Sequence, residues 1–151
     1  MSNNVYWGEP TWTFFHTLIE KIKDEEYNTE KEHILQLIKN ICNNLPCPDC
    51  KKHATKYLSK VTVRHVETQD MFKNLLFTFH NDVNKRTRTQ VEKEQILDQY
   101  KEKILKDVFI NFVRVFSKPI HNNRLMMDSM KRNILMKKIV SYIQDNFHKY
   151  N

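Results

Sequence analysis

Trp7-Gly8-Glu9-Pro10-Thr11-Trp12-Thr13-Phe14-Phe15-His16-Thr17-Leu18-Ile19-Glu20-Lys21-Ile22 holds the chain's one glycine and its clearest hydrophobic period. Glu9-Pro10-Thr11 reads as a helix start, since proline is tolerated in a first turn where its missing N–H leaves no bond unmade. From there Trp12, Phe15, His16, Ile19 and Ile22 recur at spacings of three and four, which places them on one helix face. A single glycine in 151 residues leaves almost nothing for tight hairpins or bulges, or for a phosphate-cradling G-x-G-x-x-G turn. The fold class is therefore all-α.

The same period organises the rest of the chain. After a polar, acidic connection from Asp24 to Glu30, a second helix is expected over about 30–43 on Ile34, Leu37, Ile38 and Ile41. Pro46 biases the residue before it away from helical geometry and so ends that helix. A third begins near Cys47 or Pro48 and runs to about Leu58. Val61-Thr62-Val63 is β-branched but too short and isolated to form a sheet. The fourth helix runs from about Thr68 to Arg86 on Met71, Leu75, Leu76, Phe79 and Val83, and the polar break Thr87 to Gln90 marks a domain edge. Beyond it, Ile104, Leu105, Val108, Phe109, Phe112, Val113 and Phe116 form an amphipathic helix that Ser117-Lys118-Pro119 ends. A last helix, about 125–147, presents Met126, Met130, Ile134, Ile139 or Val140, Ile143 and Phe147.

With 40% hydrophobic residues the chain can bury a sizeable core. Its net charge of +7 is uneven: thirteen basic and eleven acidic groups fall in 1–89, twelve and seven in 90–151. The C-terminal excess reads as a solvated basic helix face or as an attractant for nucleic acid, anionic lipid or an acidic partner. No motif that reads nucleic acid accompanies it, so nucleic-acid binding is not expected. No run of 18 apolar residues occurs, so no membrane span is expected. Met1-Ser2-Asn3-Asn4-Val5-Tyr6 lacks the basic and apolar regions of a signal peptide, which leads to the expectation of a cytoplasmic protein.

Leu45-Pro46-Cys47-Pro48-Asp49-Cys50 is the chemical centre. Two cysteines three apart at a helix start close a disulfide with little backbone change. The helix dipole and free amides there lower a thiol pKa, helped by Lys51 and Lys52 and opposed by Asp49. Such a pair accepts electrons from a substrate dithiol by exchange. Two alternatives stand beside this reading: a structural zinc site of Cys42, Cys47, Cys50 and His53, or a chance pair in a loop. Cys42, one turn after Ile38, reads as a buried inert thiol or as a resolving thiol.

Two further constellations need weighing. Trp12 and His16 are i and i+4, an indole and an imidazole suited to a flat aromatic ligand or to an aromatic core. His80-Asn81-Asp82-Val83-Asn84-Lys85-Arg86 sets polar groups on an otherwise apolar helix. Asparagine amides can read an adenine edge and Lys85 or Arg86 can meet a phosphate; otherwise the segment is a polar helix end.

Taken together, Trp12-x-x-x-His16, Cys47-x-x-Cys50 and His80-Asn81-x-x-Asn84 resemble, in order, the motifs of the Erv/ALR family of FAD-dependent sulfhydryl oxidases. The resemblance covers about residues 5 to 90. The Trp-Gly-x-x-x-Trp opening and Cys-Pro-x-Cys-x-x-His-Ala stretch look most like members from large DNA viruses. It implies a four-helix bundle, over 1–98, that holds FAD at its mouth, and a homodimer. Residues 99–151 match nothing in the family and are expected to be a helical extension, an added layer, a dimer surface or a docking site. It implies Cys50 as the cofactor-proximal thiol and Cys47 as the interchange thiol. Gly8, Trp12, His16, Tyr57, His80, Asn81, Asn84 and Lys85 are the implied cofactor-binding residues, with no metal. The implied partners are a dithiol protein, a thioredoxin-like or other shuttle, and O2, with H2O2 as product, acting in a host cytoplasm or virion. The chain departs from many members in carrying Phe77 where a structural cysteine stands, and no cysteine follows Cys50.

Overall fold

A computed structural model describes residues 4–118 and 126–151 of the chain. Six α-helices run through the described residues: α1 Asn4–Lys21, α2 Asp24–Cys42, α3 Pro48–Leu58, α4 Gln69–Arg86, α5 Leu105–Phe116 and α6 Met126–Asn146. Short 3-10 segments join or end them at Val63–Val66, Glu94–Glu102 and Phe147–Lys149. No strand occurs among the described residues, in line with the near-absence of glycine. Nor is any described helix long and apolar enough to cross a membrane.

α1 is buried on two faces. Trp12, Phe15, His16 and Ile19 turn toward α4, while Phe14 and Leu18, both at 0% exposure, lie on the other side. There Phe14 stacks on Phe112 at 4.6 Å and meets Phe109 at 5.3 Å, which makes α5 a full core layer. A helix apolar all round belongs inside a protein, and the second stripe explains why α1 makes its largest interface with α5.

Two helix starts differ from expectation. α1 begins at Asn4, six residues before Pro10, which lies inside the helix. Pro10 removes one intrahelical bond; packing of Trp7 on the core carries the helix through it. α2 begins at Asp24, so the acidic stretch expected as a connection is its first turns. Asp24, Glu25 and Glu26 sit at the positive end of the dipole. Buried Tyr27 anchors this turn by donating to the carbonyls of Val66 and Thr68 at 2.6 and 3.0 Å.

The remaining boundaries of α3 and α4 fall where the sequence places them. α4 is capped by Thr68 Oγ1, which accepts from the Met71 amide at 3.1 Å. It ends in a turn with Arg88 in the left-handed region at φ 59°. Thr89 N–H then reaches the Asn84 carbonyl at 2.8 Å, closing the helix end in the usual way for a left-handed cap.

α6 corrects the expected stripe. Met136, Ile139, Tyr142 and Ile143 are buried, whereas Met130, Ile134 and Phe147 are exposed. Apolar residues on several sides of this helix let periodicity choose the wrong one. Met71 and Ile104 are likewise exposed, the latter because it caps α5 rather than joining it. Pro119 and Leu125, named as helix stop and start, lie outside the described residues, as does the Met126 side chain.

The C-terminus is tied back to the α1–α2 junction. Lys23 N–H meets the Lys149 carbonyl at 3.0 Å and Asn151 N–H the Lys21 carbonyl at 2.6 Å. Beneath them, buried Glu30 accepts from Tyr142 Oη at 2.6 Å and pairs with Lys149 Nζ at 3.1 Å. Burial alone raises the Glu30 pKa, but the Tyr142 and Lys149 hydrogen bonds and the nearby positive charge outweigh it, leaving the carboxyl below its ordinary value.

Two outcomes are expected. Phe112→Ala should destabilise the protein by about 3–5 kcal/mol, read by denaturant unfolding, because its ring is fully buried against α1. Glu30 contributes stability above the unfolded carboxylate pKa, and that contribution is lost as pH falls through its lower folded value. Glu30→Gln should therefore flatten the acid limb of a melting-temperature profile below about pH 4.5.

Candidate redox site and adjoining cavity

The Cys47-Pro48-Asp49-Cys50 turn has local reasons to form. Pro48 occupies the first turn of α3, where no N–H is needed. Cys47 is the N-cap, its Sγ accepting from the Cys50 amide at 3.3 Å, and Lys51 N–H makes the first intrahelical bond to the Cys47 carbonyl at 2.9 Å. The two cysteines are joined as a disulfide with Cα atoms 5.2 Å apart. Behind the turn, buried Arg132 of α6 donates to the Asn44 carbonyl at 3.4 Å, and Thr55 Oγ1 to Asn43 Oδ1 at 2.9 Å. The loop entering the disulfide is thus braced by α6 and by α3 itself.

A cavity of about 790 Å³ opens beside it. Its lining includes Gly8, Trp12, His16, Cys50, Phe79, His80, Asn81, Asn84 and Tyr100. The rings form a stack across α1 and α4. Trp12 lies on His80 at 4.1 Å and 6°. His16 Nε2 is 3.0 Å from His80 Nδ1, and Tyr100 stacks on His16 at 4.7 Å. Burial, with a smaller contribution from neighbouring His80, pushes the His16 pKa down to about 3; burial pushes His80 to about 4. Both imidazoles are neutral at physiological pH, so one donates and the other accepts in their shared hydrogen bond.

Asn81 is committed to the chain that follows α4. Its Nδ2 donates to the Glu92 carbonyl at 2.9 Å and its Oδ1 accepts from the Glu92 amide at 3.0 Å. Buried Asn84 donates to the same Oδ1 at 3.4 Å. This pins the segment that carries Tyr100 against the cavity.

Seven of the residues singled out in the sequence meet on this one lining: Gly8, Trp12, His16, Cys50, His80, Asn81 and Asn84. Cys47, Tyr57 and Lys85 are not on it. Tyr57 stacks on Phe79 at 4.6 Å from behind. Lys85 is exposed, and its neighbour Arg86 lines the cavity instead. Cys42 also lines it, but burial pushes its thiol pKa far up, which keeps it protonated. Of the residues named for the zinc alternative, Cys47 and Cys50 are joined to each other as a disulfide in this structure. Tyr100 went unnoticed in the sequence. It follows a polar break in a 3-10 segment, where no helical period flags its inward face.

A dithiol–disulfide switch at a helix N-terminus, set on an aromatic cavity inside a helical bundle, defines the class: an all-helical redox protein with a built-in binding chamber. The chain belongs to the Erv1 / Alr family, whose sequence model matches residues 9–104. It is 31% identical over 105 residues, 69% of this chain and 87% of its relative, to the FAD-linked sulfhydryl oxidase of African swine fever virus (a Kenyan pig isolate). Similarity extends to a putative FAD-linked sulfhydryl oxidase of Invertebrate iridescent virus 3, at 26% over 63% of this chain and 66% of that protein. It also extends to an FAD-linked sulfhydryl oxidase of Arabidopsis thaliana, at 28% over 52% of this chain and 40% of that protein. No solved structure matches the chain significantly.

The histidine pair makes a direct prediction. Neither ring should titrate between pH 5 and 8 in an NMR pH series. The unfolded chain takes up protons near pH 6.5 while the folded rings refuse them down to about 4 and 3. The unfolded state therefore binds more protons in that window, and stability should fall as pH drops below about 6.5. Replacing His16 by Gln should lessen that loss.

Proposed function

We propose that this chain is an FAD-dependent thiol oxidase, which forms disulfide bonds in protein substrates through Cys47 and Cys50 and passes the electrons to FAD and then to O2, giving H2O2. The observation that carries this reading is the double position of Cys50. It is bonded to Cys47 at the start of α3 and lies on the wall of the aromatic cavity. A disulfide open only to solvent serves exchange alone; one seated on a binding chamber has a second destination for its electron pair.

The cavity suits a large planar group. The buried Trp7 Nε1 donor on its lining has no hydrogen-bond partner among the described residues. A Cβ placed on Gly8 would meet open space, so the glycine leaves that wall bare without serving the protein's own packing. Trp12, His16 and His80 present neutral rings for stacking, and Asn84 and Arg86 give polar and cationic contacts. In this reading Tyr57 supports Phe79 from behind, Asn81 holds the wall, and Lys85 lies at the rim. FAD, when bound, supplies the two-electron acceptor that O2 reoxidises.

The chain's own residues manage the thiol chemistry. A substrate thiolate attacks Cys47 Sγ, the sulfur off the cavity lining, and the Cys47–Cys50 bond breaks with its electron pair on Cys50. A second substrate thiolate then attacks the mixed disulfide and releases Cys47. The substrate leaves oxidised by two electrons and the two cysteines remain reduced, Cys50 toward the cavity. The oxidase unit spans about 1–98 in this proposal, supported by the family match over 9–104, with 99–151 as a helical extension. A dithiol protein, thioredoxin-like or another shuttle, is the substrate. A homodimer is part of the same reading, supported by the exposed Met127, Met130 and Ile134 of α6 and tested by sedimentation. The similarity to viral oxidases supports action inside a host cell, in the cytoplasm or virion.

Purified protein should be yellow, carry about one FAD per chain and consume O2 when dithiothreitol is added. A colourless protein that leaves O2 untouched overturns the proposal. Cys50→Ser should reduce thiol oxidation to the buffer rate while retaining flavin. His80→Ala should instead lose flavin on gel filtration, and full retention would remove His80 from the binding site.

A further inference from the structure

Once the disulfide opens, the Cys50 sulfur carries negative charge that its surroundings must stabilise. Cys47 Sγ already receives the Cys50 amide at 3.3 Å at the positive end of α3. Cys50 lies on the cavity lining, half-buried and packed against the apolar core, where an apolar setting disfavours a thiolate. A donor beside it would offset that.

His53 is three residues further along α3 and lines the same cavity. At that spacing the two Cβ atoms lie about 5–6 Å apart on one helix face. From α4, Asp82 brings Oδ2 to 3.0 Å from His53 Nε2. That nitrogen is closed to water and makes no hydrogen bond of regular geometry among the described residues; the Asp82 carboxylate is the charged group that stands against it. An adjacent carboxylate orients an imidazole. With Nε2 turned to Asp82, Nδ1 is the nitrogen left for a thiol.

We propose that His53, positioned by Asp82, is the acid–base partner of Cys50. This rests on the Cys47–Cys50 exchange reading. When a substrate thiolate bonds to Cys47 Sγ and the disulfide bond breaks, its electron pair passes to Cys50. The departing sulfur is stabilised beside the His53 ring, whose Nδ1–H can donate to it. A sulfur that is the better anion leaves faster. Other charged and titratable groups stand near the pair, Asp49, Lys51 and Lys52 among them as the neighbours of Cys50 on α3. Arg86 of α4 and Glu9 of α1 share the cavity lining. Tyr57 of α3 is 6.5 Å away ring to ring, and burial together with the Asp82 charge raises its pKa, keeping it neutral. His16 and His80 are uncharged above about pH 4.

The test needs neither flavin nor O2. The full chain is reduced, freed of reductant and alkylated with iodoacetamide from pH 5 to 9, each cysteine being followed by peptide mass spectrometry. In His53→Gln, Cys50 should alkylate about tenfold more slowly at pH 6.5, a midpoint raised by about one unit. The Cys47 profile should stay in place, and Asp82→Asn should move Cys50 the same way by less. An unmoved Cys50 profile overturns the proposal, as does an equal shift of both cysteines. Should His53→Gln not fold, Asp82→Asn decides by the same criterion. A colourless wild-type protein would sink the oxidase while leaving this readout intact.

Discussion

The two-sided burial of α1 is the constraint on which the rest of this molecule depends. One face carries Phe14 and Leu18 into α5, where stacking on Phe112 completes the core. The other carries Trp12 and His16 against α4, where the same helix stops being core and becomes cavity wall. Because a helix is rigid over a few turns, the packing on one side sets where the rings stand on the other. The helical layer contributed by α5 is therefore tied to the site through the helix between them.

Electrostatically the site divides into two parts. The His16–His80 pair lies deep enough that burial keeps both rings neutral, which suits contact with a flat ligand and adds no fixed charge there. His53 stands nearer the disulfide and has what the deeper pair lacks, a carboxylate at 3.0 Å. Three histidines line one cavity, and their partners, more than their shared residue type, separate their chemistry.

The C-terminal third serves the site at a distance. Arg132 of α6 holds the Asn44 carbonyl ahead of Cys47, and the Glu30–Tyr142–Lys149 cluster fastens the chain end to the α1–α2 junction. Burying that carboxylate is tolerable because two donors meet it; a half-satisfied cluster in the same place would oppose folding.

What was legible in the sequence were features carried by neighbours along the chain: the helical class from a lone glycine, the start of α3 from Pro46 and Pro48, the redox pair at its N-terminus, and the Trp12–His16 and His80–Asn84 spacings. Each depends on a few consecutive dihedrals or on one helical turn, so local residues determine it. Tertiary structure alone decided the rest. It carried α1 back past Pro10, because the burial of Trp7 outweighs a lost hydrogen bond, and it chose which apolar side of α6 faces inward. It also brought Tyr100 onto His16, closed Asn81 on Glu92 and set Asp82 beside His53. Those contacts join residues distant along the chain, and no local period records which of several polar or apolar neighbours will be met once the helices pack.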